Sequence, residues 1–273
     1  MQFISYDQLY KDCLRLAARL PRVRPNFDMV AGIARSGIFP ATILAQILNC
    51  RLGIVDMKLG LQFIRGGARD TGSSETYSIL VIDDSVASGT SMIKVKELLE
   101  PLKFNYLYAC IYCEPGSEGF VNMYARILPQ PRVFAWNIMN HGILENSCVD
   151  MDGILCVEPT PSEAEAEKTS GVKYKYFVEH TPPLHLPRQT IHSIVTGRYA
   201  EHEEETRTWL EKHGIKFKNL IMRTSEIPCE IHKAEYYEKS GTELFIESTE
   251  FQAKEIQRMT RKPVISMDTL MLV

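Results

Sequence analysis

Residues 81–91, VIDDSVASGTS, constrain the fold of this chain more than any other stretch. Val81 and Ile82 close a β-branched apolar run that reads as a buried parallel strand, and Asp83 and Asp84 follow at once. Small residues and hydroxyls fill the next positions, and MIKVKELLE (92–100) predicts a helix. A strand that hands a small-residue turn to a helix start belongs to an α/β layer, where free backbone N–H groups and the helix dipole converge on an anion. Ser88, Thr90 and Ser91 add hydroxyl donors to that turn. Two carboxylates beside an anion repel it unless a polyhydroxylated or metal-bound group lies between them. A phosphorylated sugar meets both demands, with its hydroxyls on Asp83 and Asp84 and its phosphate on the turn.

The surrounding sequence supplies the rest of the layer. Residues 5–20 space Leu9, Cys13, Leu16 and Leu20 at helical intervals, and Pro21 is expected to stop that helix. FDMVAGI (27–33) predicts a strand that runs into ARSG (34–37) and then an apolar helix, IFPATILAQILN. This is a second strand–loop–helix anion pocket, with the Arg35 guanidinium beside it. RLGIVDMK (51–58) predicts a strand between the two pockets, and the Gly- and Ser-rich 59–78, without a clear period, predicts a mobile loop. Strands at 104–113 and 132–136 are expected to complete a first domain, 1–143.

The central stretch resembles the phosphoribosyl pyrophosphate (PRPP) motif of type I phosphoribosyltransferases: two hydrophobics, two acids, then Thr or Ser followed by Gly. Ser88-Gly89 and Ser91 match the last positions. The resemblance implies that Asp83 and Asp84 hold the ribose hydroxyls and act in catalysis. It also implies that Ala87, Ser88, Gly89, Thr90 and Ser91 cradle the 5-phosphate. ARSG then corresponds to the pyrophosphate loop, with Arg35, Ser36 and Gly37 as its contacts. The family carries a flexible lid where 59–78 lies, which implies that Lys58, Arg65 and Arg69 reach the departing pyrophosphate while closure excludes water. Ser85 stands where the family often has an aliphatic residue, a small change. Ala87 stands where members acting on 6-oxopurines often place an acid, which argues against hypoxanthine or guanine as acceptor. No clear nucleobase hood is evident.

After polar breaks at Asn137, Asn140, His141 and Asn146 the chain restarts with CVDMDGILC (148–156), another apolar strand ending in acids. Side chains at i and i+2 of an extended segment share a side, so Asp150 and Asp152 are expected to face one site, one attacking while the other transfers protons. The pattern resembles the DxDGxL motif of haloacid dehalogenase-like proteins, with companions at Thr196, Lys233 and Glu247. The resemblance implies Asp150 as nucleophile, Asp152 as proton donor and then base, and Thr196 and Lys233 on phosphoryl oxygens. It places magnesium between Asp150, the Asp152 carbonyl and Glu247. An acid at Asp152 favours phosphatase chemistry within that family. Ser248 stands where a second acid is usual, leaving Glu250 or a water to complete the shell. The stretch of about 156–190 matches the position of the family's cap insertion and is short; His180, His185 and His192 receive no role.

The fold class that follows is α/β: a type I phosphoribosyltransferase fold over 1–143, then a haloacid dehalogenase-like Rossmannoid domain over 144–273 with a small cap. A net charge of −3 argues against a broad nucleic-acid surface. No apolar run reaches the roughly 20 residues of a membrane span. Seven cysteines without framework spacing suit a reducing, cytoplasmic setting, and the isolated pair Cys110 and Cys113 is not a zinc site.

Two sites in one chain predict a bifunctional, magnesium-dependent enzyme. It would transfer 5-phosphoribosyl from PRPP to an acceptor, releasing pyrophosphate, and then remove the 5-phosphate. The pairing is similar to modules that install ribofuranose in bacterial polysaccharides, where the acceptor is a glycan; the absent hood and short cap agree with a bulky acceptor. Two alternatives stand beside it: a nucleobase phosphoribosyltransferase coupled to a nucleotide phosphatase, and a PRPP-sensing domain that regulates a phosphatase.

Overall fold

Both halves of the chain are built around a parallel sheet whose strand order reverses at one point, and that reversal is what positions the sites. The computed structural model describes residues 1–64, 77–169, 172–224 and 226–273. Its contacts divide the chain into two units, Met1–Arg132 and Val133–Val273.

The first unit opens with β1 (Gln2–Ile4) and α1 (Tyr6–Ala17). Ser5 caps this helix, its Oγ accepting the Gln8 N–H at 3.2 Å. The helix ends at Ala17, short of Pro21, which instead sits in a 3-10 turn at Leu20–Arg22. Then come β2 (Met29–Ile33), α2 (Ile38–Leu48), β3 (Arg51–Asp56) and β4 (Gly60–Phe63). The chain continues with β5 (Ser78–Val86), α3 (Thr90–Leu99), β6 (Asn105–Cys113) and β7 (Met123–Ile127).

The sheet order is β4-β3-β2-β5-β6-β7, parallel except for β4. β2 is buried at all five positions, as a central strand covered on both faces must be. From β2 the chain goes outward to β3 and returns on the other side as β5, so the crevice at the strand C-terminal ends lies between β2 and β5. Part of the expected loop is a strand: Asp56 Oδ1 accepts the N–H groups of Lys58 and Leu59, and Gly60 at φ +76° turns β4 back along β3. The remainder, including Arg65 and Arg69, lies outside the described residues.

β8 (Arg132–Phe134) leads into the second unit, which contains β9 (Ser147–Val149), α4 (Pro161–Thr169), α5 (Val172–His180) and β10 (Ile191–Tyr199). It continues through α6 (Glu203–Lys212), β11 (Phe217–Arg223), α7 (Cys229–Lys239), β12 (Leu244–Glu247), α8 (Glu250–Thr260), β13 (Val264–Ser266) and β14 (Met271–Leu272). The order β11-β10-β9-β12-β13-β14 again reverses at one strand, β9, with β10 on one side and β12 on the other. After β13 the chain folds back antiparallel as β14. Cys148, Val195, Tyr237, Phe245, Ala253 and Val264 form the core beneath the strands. The insertion between β9 and β10 has its own small core of Ala166, Tyr174, Phe177 and Val178. No described helix is long and apolar enough to cross a membrane.

Candidate functional site

In the first unit the two acids lie on β5 itself, since the strand runs through them to Val86. The Asp84 N–H donates to Asp83 Oδ1 at 2.9 Å, and the Ser85 hydroxyl donates to Asp84 Oδ1 at 3.3 Å. Burial, and then the neighbouring charge of Asp84, push the Asp83 carboxyl well above the ordinary carboxylate range. Such a pair is relieved by hydroxyl donors or by a cation placed across it.

The turn that follows depends on Gly89, which sits at φ +72° with the ring of Phe120 where a Cβ would project. Ser88 Oγ and Thr90 Oγ1 are 2.9 Å apart at the start of α3, and the Ser117 hydroxyl donates to the Ala87 carbonyl. The ARSG loop is drawn against the acidic strand by Gly37, whose Cβ position lies 2.6 Å from the Ile82 carbonyl oxygen. Arg35, Ala87, Ser88, Thr90 and Ser91 are exposed and Ser36 is half-buried. Lys58 is exposed just beyond β3, at the same end of the sheet. The expected PRPP residues within the described chain thus share one sheet edge. Phe120 and Ser117, which fix the turn from behind, carry no sequence signal that singles them out.

In the second unit a cavity of about 130 Å³ opens at the end of β9, lined in part by Asp150, Asp152, Glu158, Arg198, Lys233 and Ser248. The Asp150 N–H donates to the Ile246 carbonyl at 2.9 Å, which fixes the aspartate at the strand end. Its Oδ1 accepts the Met151 N–H at 2.8 Å; its Oδ2 lies 2.9 Å from Lys233 Nζ and 3.0 Å from Ser248 Oγ. Lys233 also meets Glu247 Oε2 at 2.9 Å and Gln252 Oε1 at 3.0 Å. Burial opposes the Lys233 charge, but Asp150 and Glu247 outweigh it and hold the ammonium above its ordinary pKa. Burial and the Glu247 charge raise the Asp150 carboxyl, and Lys233 works against them. Thr196 is fully buried behind the wall, its Oγ1 accepting the Arg198 N–H at 3.2 Å, and Gly197 and Arg198 face the cavity in its place.

Asp152 lines the same cavity as Asp150, as expected, but its carboxylate is already paired. β9 ends at Val149, so the alternation of an extended strand lapses before residue 152. The Asp152 carboxylate instead pairs with Arg198: Nε lies 3.2 and 2.9 Å from its two oxygens and Nη2 2.6 Å from Oδ1. The Arg198 side chain is fully buried, and its Nη1 donates to Thr206 Oγ1 at 3.2 Å while the guanidinium stands 5.7 Å from the Phe177 ring centre. No signal in the sequence separated Arg198 from an ordinary strand-end arginine.

Of the expected magnesium contacts, the Asp150 and Glu247 carboxylates face each other across Lys233 and Ser248, while Asp152, expected to contribute its backbone carbonyl, turns its side chain to Arg198. Among the described residues no three His, Cys, Asp or Glu side chains are grouped to hold a metal ion. Lys233 lies between the carboxylates of Asp150 and Glu247, and Asp152 is turned to Arg198. As arranged, the two carboxylates are bridged by the Lys233 ammonium. The aspartate pair of the first unit is different, since two adjacent hard-oxygen donors with a raised Asp83 do suit a cation carried in with a diphosphate.

Residues 5–137 match the family model described as "Phosphoribosyl transferase domain". The xanthine-guanine phosphoribosyltransferase of Gluconobacter oxydans is 28% identical over 143 residues, 49% of this chain and 83% of that protein. The xanthine-guanine phosphoribosyltransferase of Chromohalobacter salexigens is 30% identical over 129 residues, covering 44% of this chain and 73% of that protein. The chain belongs to the phosphoribosyltransferase family.

A solved Helicobacter pylori xanthine-guanine-hypoxanthine phosphoribosyltransferase aligns with 50% of this chain and 92% of its own at 19% identity and a TM-score of 0.41. The phosphoribosyltransferase match stops at residue 137, near the start of the second unit.

Proposed function

We propose that the first unit transfers 5-phosphoribosyl from PRPP to a nucleobase and that the second unit hydrolyses a phosphate monoester, together converting a base to a nucleoside. The nucleobase acceptor is supported by the relatives, both of which are named as xanthine-guanine phosphoribosyltransferases. In the transfer, a nitrogen of the base bonds to ribose C1 as the C1–O bond breaks and pyrophosphate leaves. Asp83 and Asp84 hold the ribose hydroxyls and face the positive charge that develops on the ring; the turn 87–91 holds the 5-phosphate. Arg35, Ser36, Gly37 and Lys58 receive the pyrophosphate. Magnesium bound with PRPP would neutralise the diphosphate, with Asp83 and Asp84 as the residues facing it.

For the second unit, the carrying observation is Lys233 set between Asp150 and Glu247 at the floor of a cavity where the strand order reverses. Asp150 offers an oxygen to phosphorus, and the Lys233 ammonium offsets charge on the phosphoryl oxygens. Hydrolysis of the nucleotide 5-phosphate would remove the product that pyrophosphate attacks in reverse, making net transfer effectively irreversible.

The test incubates the full chain with PRPP, magnesium and a panel of free bases, comparing wild type with Asp150→Asn. Base-dependent pyrophosphate release, with nucleoside from wild type and nucleotide accumulating in the variant, is the expected result. A second reading takes a glycan as acceptor, favoured by Ala87, whose methyl group offers a base no acid and whose carbonyl is tied to Ser117. Pyrophosphate release with a glycan and with none of the bases would replace the first reading by the second.

A further inference from the structure

Arg223 lines the cavity of the second unit from the outermost strand of the sheet. Val149, Ile194 and Leu220 lie side by side across β9, β10 and β11. Asp150 therefore stands at the end of one strand, and Arg223 at the end of the second strand over. Neighbouring strands are about 4.8 Å apart, which leaves about 10 Å of sheet between the two backbones. Lys233 is committed to Asp150 and Glu247, and Arg198 to Asp152. Those two cations serve the end of the cavity where a phosphoryl group meets Asp150. Arg223 serves the end that the remainder of an ester fills.

The local backbone fixes where this arginine points. From Val195 to Tyr199 β10 advances four residues while β11 advances two, from Ile221 to Arg223, so β10 bulges. The bulge turns Gly197 and Arg198 into the cavity and sets the Tyr199 ring beside Arg223. The Arg223 guanidinium carbon lies 4.0 Å from the centre of that ring. The Tyr199 hydroxyl donates to Glu226 Oε2 at 2.8 Å, and Arg223 Nη1 donates to the Ile227 carbonyl at 3.5 Å. The insertion supplies Tyr174 and Glu158 to the same cavity, Glu158 Oε2 lying 2.5 Å from the position of a Gly153 Cβ. A guanidinium laid on an aromatic face keeps its plane and presents its N–H donors along its edge.

Such a fork recognises two acceptor atoms held side by side on a rigid group. In a nucleoside monophosphate the O6 and N7 atoms of a 6-oxopurine are that pair, whereas adenine sets a donor amino group beside N7 and breaks the match. With the phosphate on Asp150, the ribose crosses the width of β10 and the base arrives at β11. We propose that Arg223 is a specificity residue of the second unit, its guanidinium donating to the O6 and N7 edge of a 6-oxopurine nucleoside 5-monophosphate. This rests on reading the second unit as a phosphomonoesterase that acts on the nucleotide made by the first. Ala87 offers a base no acid in the first unit, so discrimination between bases falls to the second site.

Base dependence tests the assignment. The full chain, Arg223→Lys and Arg223→Met are assayed with magnesium for phosphate release from guanosine 5-monophosphate, adenosine 5-monophosphate and ribose 5-phosphate, with thermal unfolding to verify folding. Wild type should favour the guanosine ester over the adenosine ester on the order of 10- to 100-fold in kcat/KM. Arg223→Lys keeps the charge and loses the fork, and Arg223→Met loses both. In each variant the guanosine preference should collapse through KM with kcat nearly kept, while ribose 5-phosphate is hydrolysed within about threefold of wild type. Equal losses on all three esters would place Arg223 on the transferred phosphoryl group and overturn the proposal. A preference that survives in Arg223→Lys, or a wild type that shows none, would overturn it as well. Hydrolysis of none of the three by wild type would instead sink the phosphomonoesterase reading itself, and the proposal with it.

Discussion

The Lys233 ammonium and the Asp150 carboxylate lie 2.9 Å apart with 3% and 5% of their side-chain surfaces exposed. The fully buried Glu247 completes the bridge at 2.9 Å on the other side of the ammonium. Replacing Lys233 by Met keeps the length and removes the charge, leaving two buried carboxylates uncompensated. A loss of about 3–5 kcal/mol is expected from denaturant unfolding at pH 8. The loss should shrink at pH 5, where the orphaned acids take up protons more readily in the folded than in the unfolded chain. In wild type the Lys233 contribution has the other sign: a raised ammonium pKa stabilises the fold below the ordinary lysine value and is lost only in strong alkali.

Glu158→Gln should make the protein more stable near pH 8 and leave it unchanged near pH 4. The folded chain raises this carboxyl from 4.5 to about 7, so the folded state holds the proton more tightly and wild-type stability falls as pH rises across that window. Glutamine, neutral throughout, escapes the penalty. Thermal midpoints of the two proteins should coincide near pH 4, diverge as pH rises from 4.5, and reach their full separation above about pH 7. Parallel curves would mean that the carboxyl is solvated and not held over Gly153.

Much of this molecule was legible in the sequence, for identifiable reasons. β2, β5 and β12 are apolar runs bounded by small or acidic residues, and buried parallel strands require that composition. The acids at 83 and 84 fell in the second half of β5 and that at 150 just past β9, because the runs before them are unmistakable. What escaped depends on contacts distant in sequence. Phe120 reaches Gly89 and Arg198 reaches Asp152 only after folding, and neither obeys a local period. Asp150 and Asp152 line one cavity as their spacing predicts, although the strand stops at Val149 and Gly153 at φ +76° bends the chain just beyond them. β4 was missed because its residues alternate weakly and its pairing is set by the Asp56 turn.

Two glycines separate backbone strain from crowding. Gly89 and Gly116 both have positive φ, at +72° and +86°, but only Gly89 has a side chain against it, the Phe120 ring lying 2.4 Å from where a methyl group would sit. Gly116→Ala should cost about 1–2 kcal/mol, the expense of left-handed backbone for an L-residue. Gly89→Ala should cost more, because the ring must also move, and it should weaken PRPP binding while Gly116→Ala does not. Equal costs in chemical denaturation would mean that Phe120 is not seated on the turn.

Asp83 and Asp84 set function against stability. Asp83 stands well above its ordinary range because burial, and then the charge of Asp84, make it harder to ionise. The raised folded-state pKa means that ionised Asp83 destabilises the fold at neutral pH, with no penalty below the ordinary aspartate range. Asp83→Asn should therefore raise the thermal midpoint at pH 7.5 and leave it unchanged near pH 3. The same substitution removes a charge that faces the developing positive charge on the ribose. PRPP-dependent pyrophosphate release should then fall on the order of 100-fold, within the range for deleting one preorganised electrostatic contact. Hydrolysis of 4-nitrophenyl phosphate by the second unit should persist in this variant, which separates a lost site from a lost fold. A variant that is both less stable and fully active would show that the acid pair is structural and that the ribose is held elsewhere.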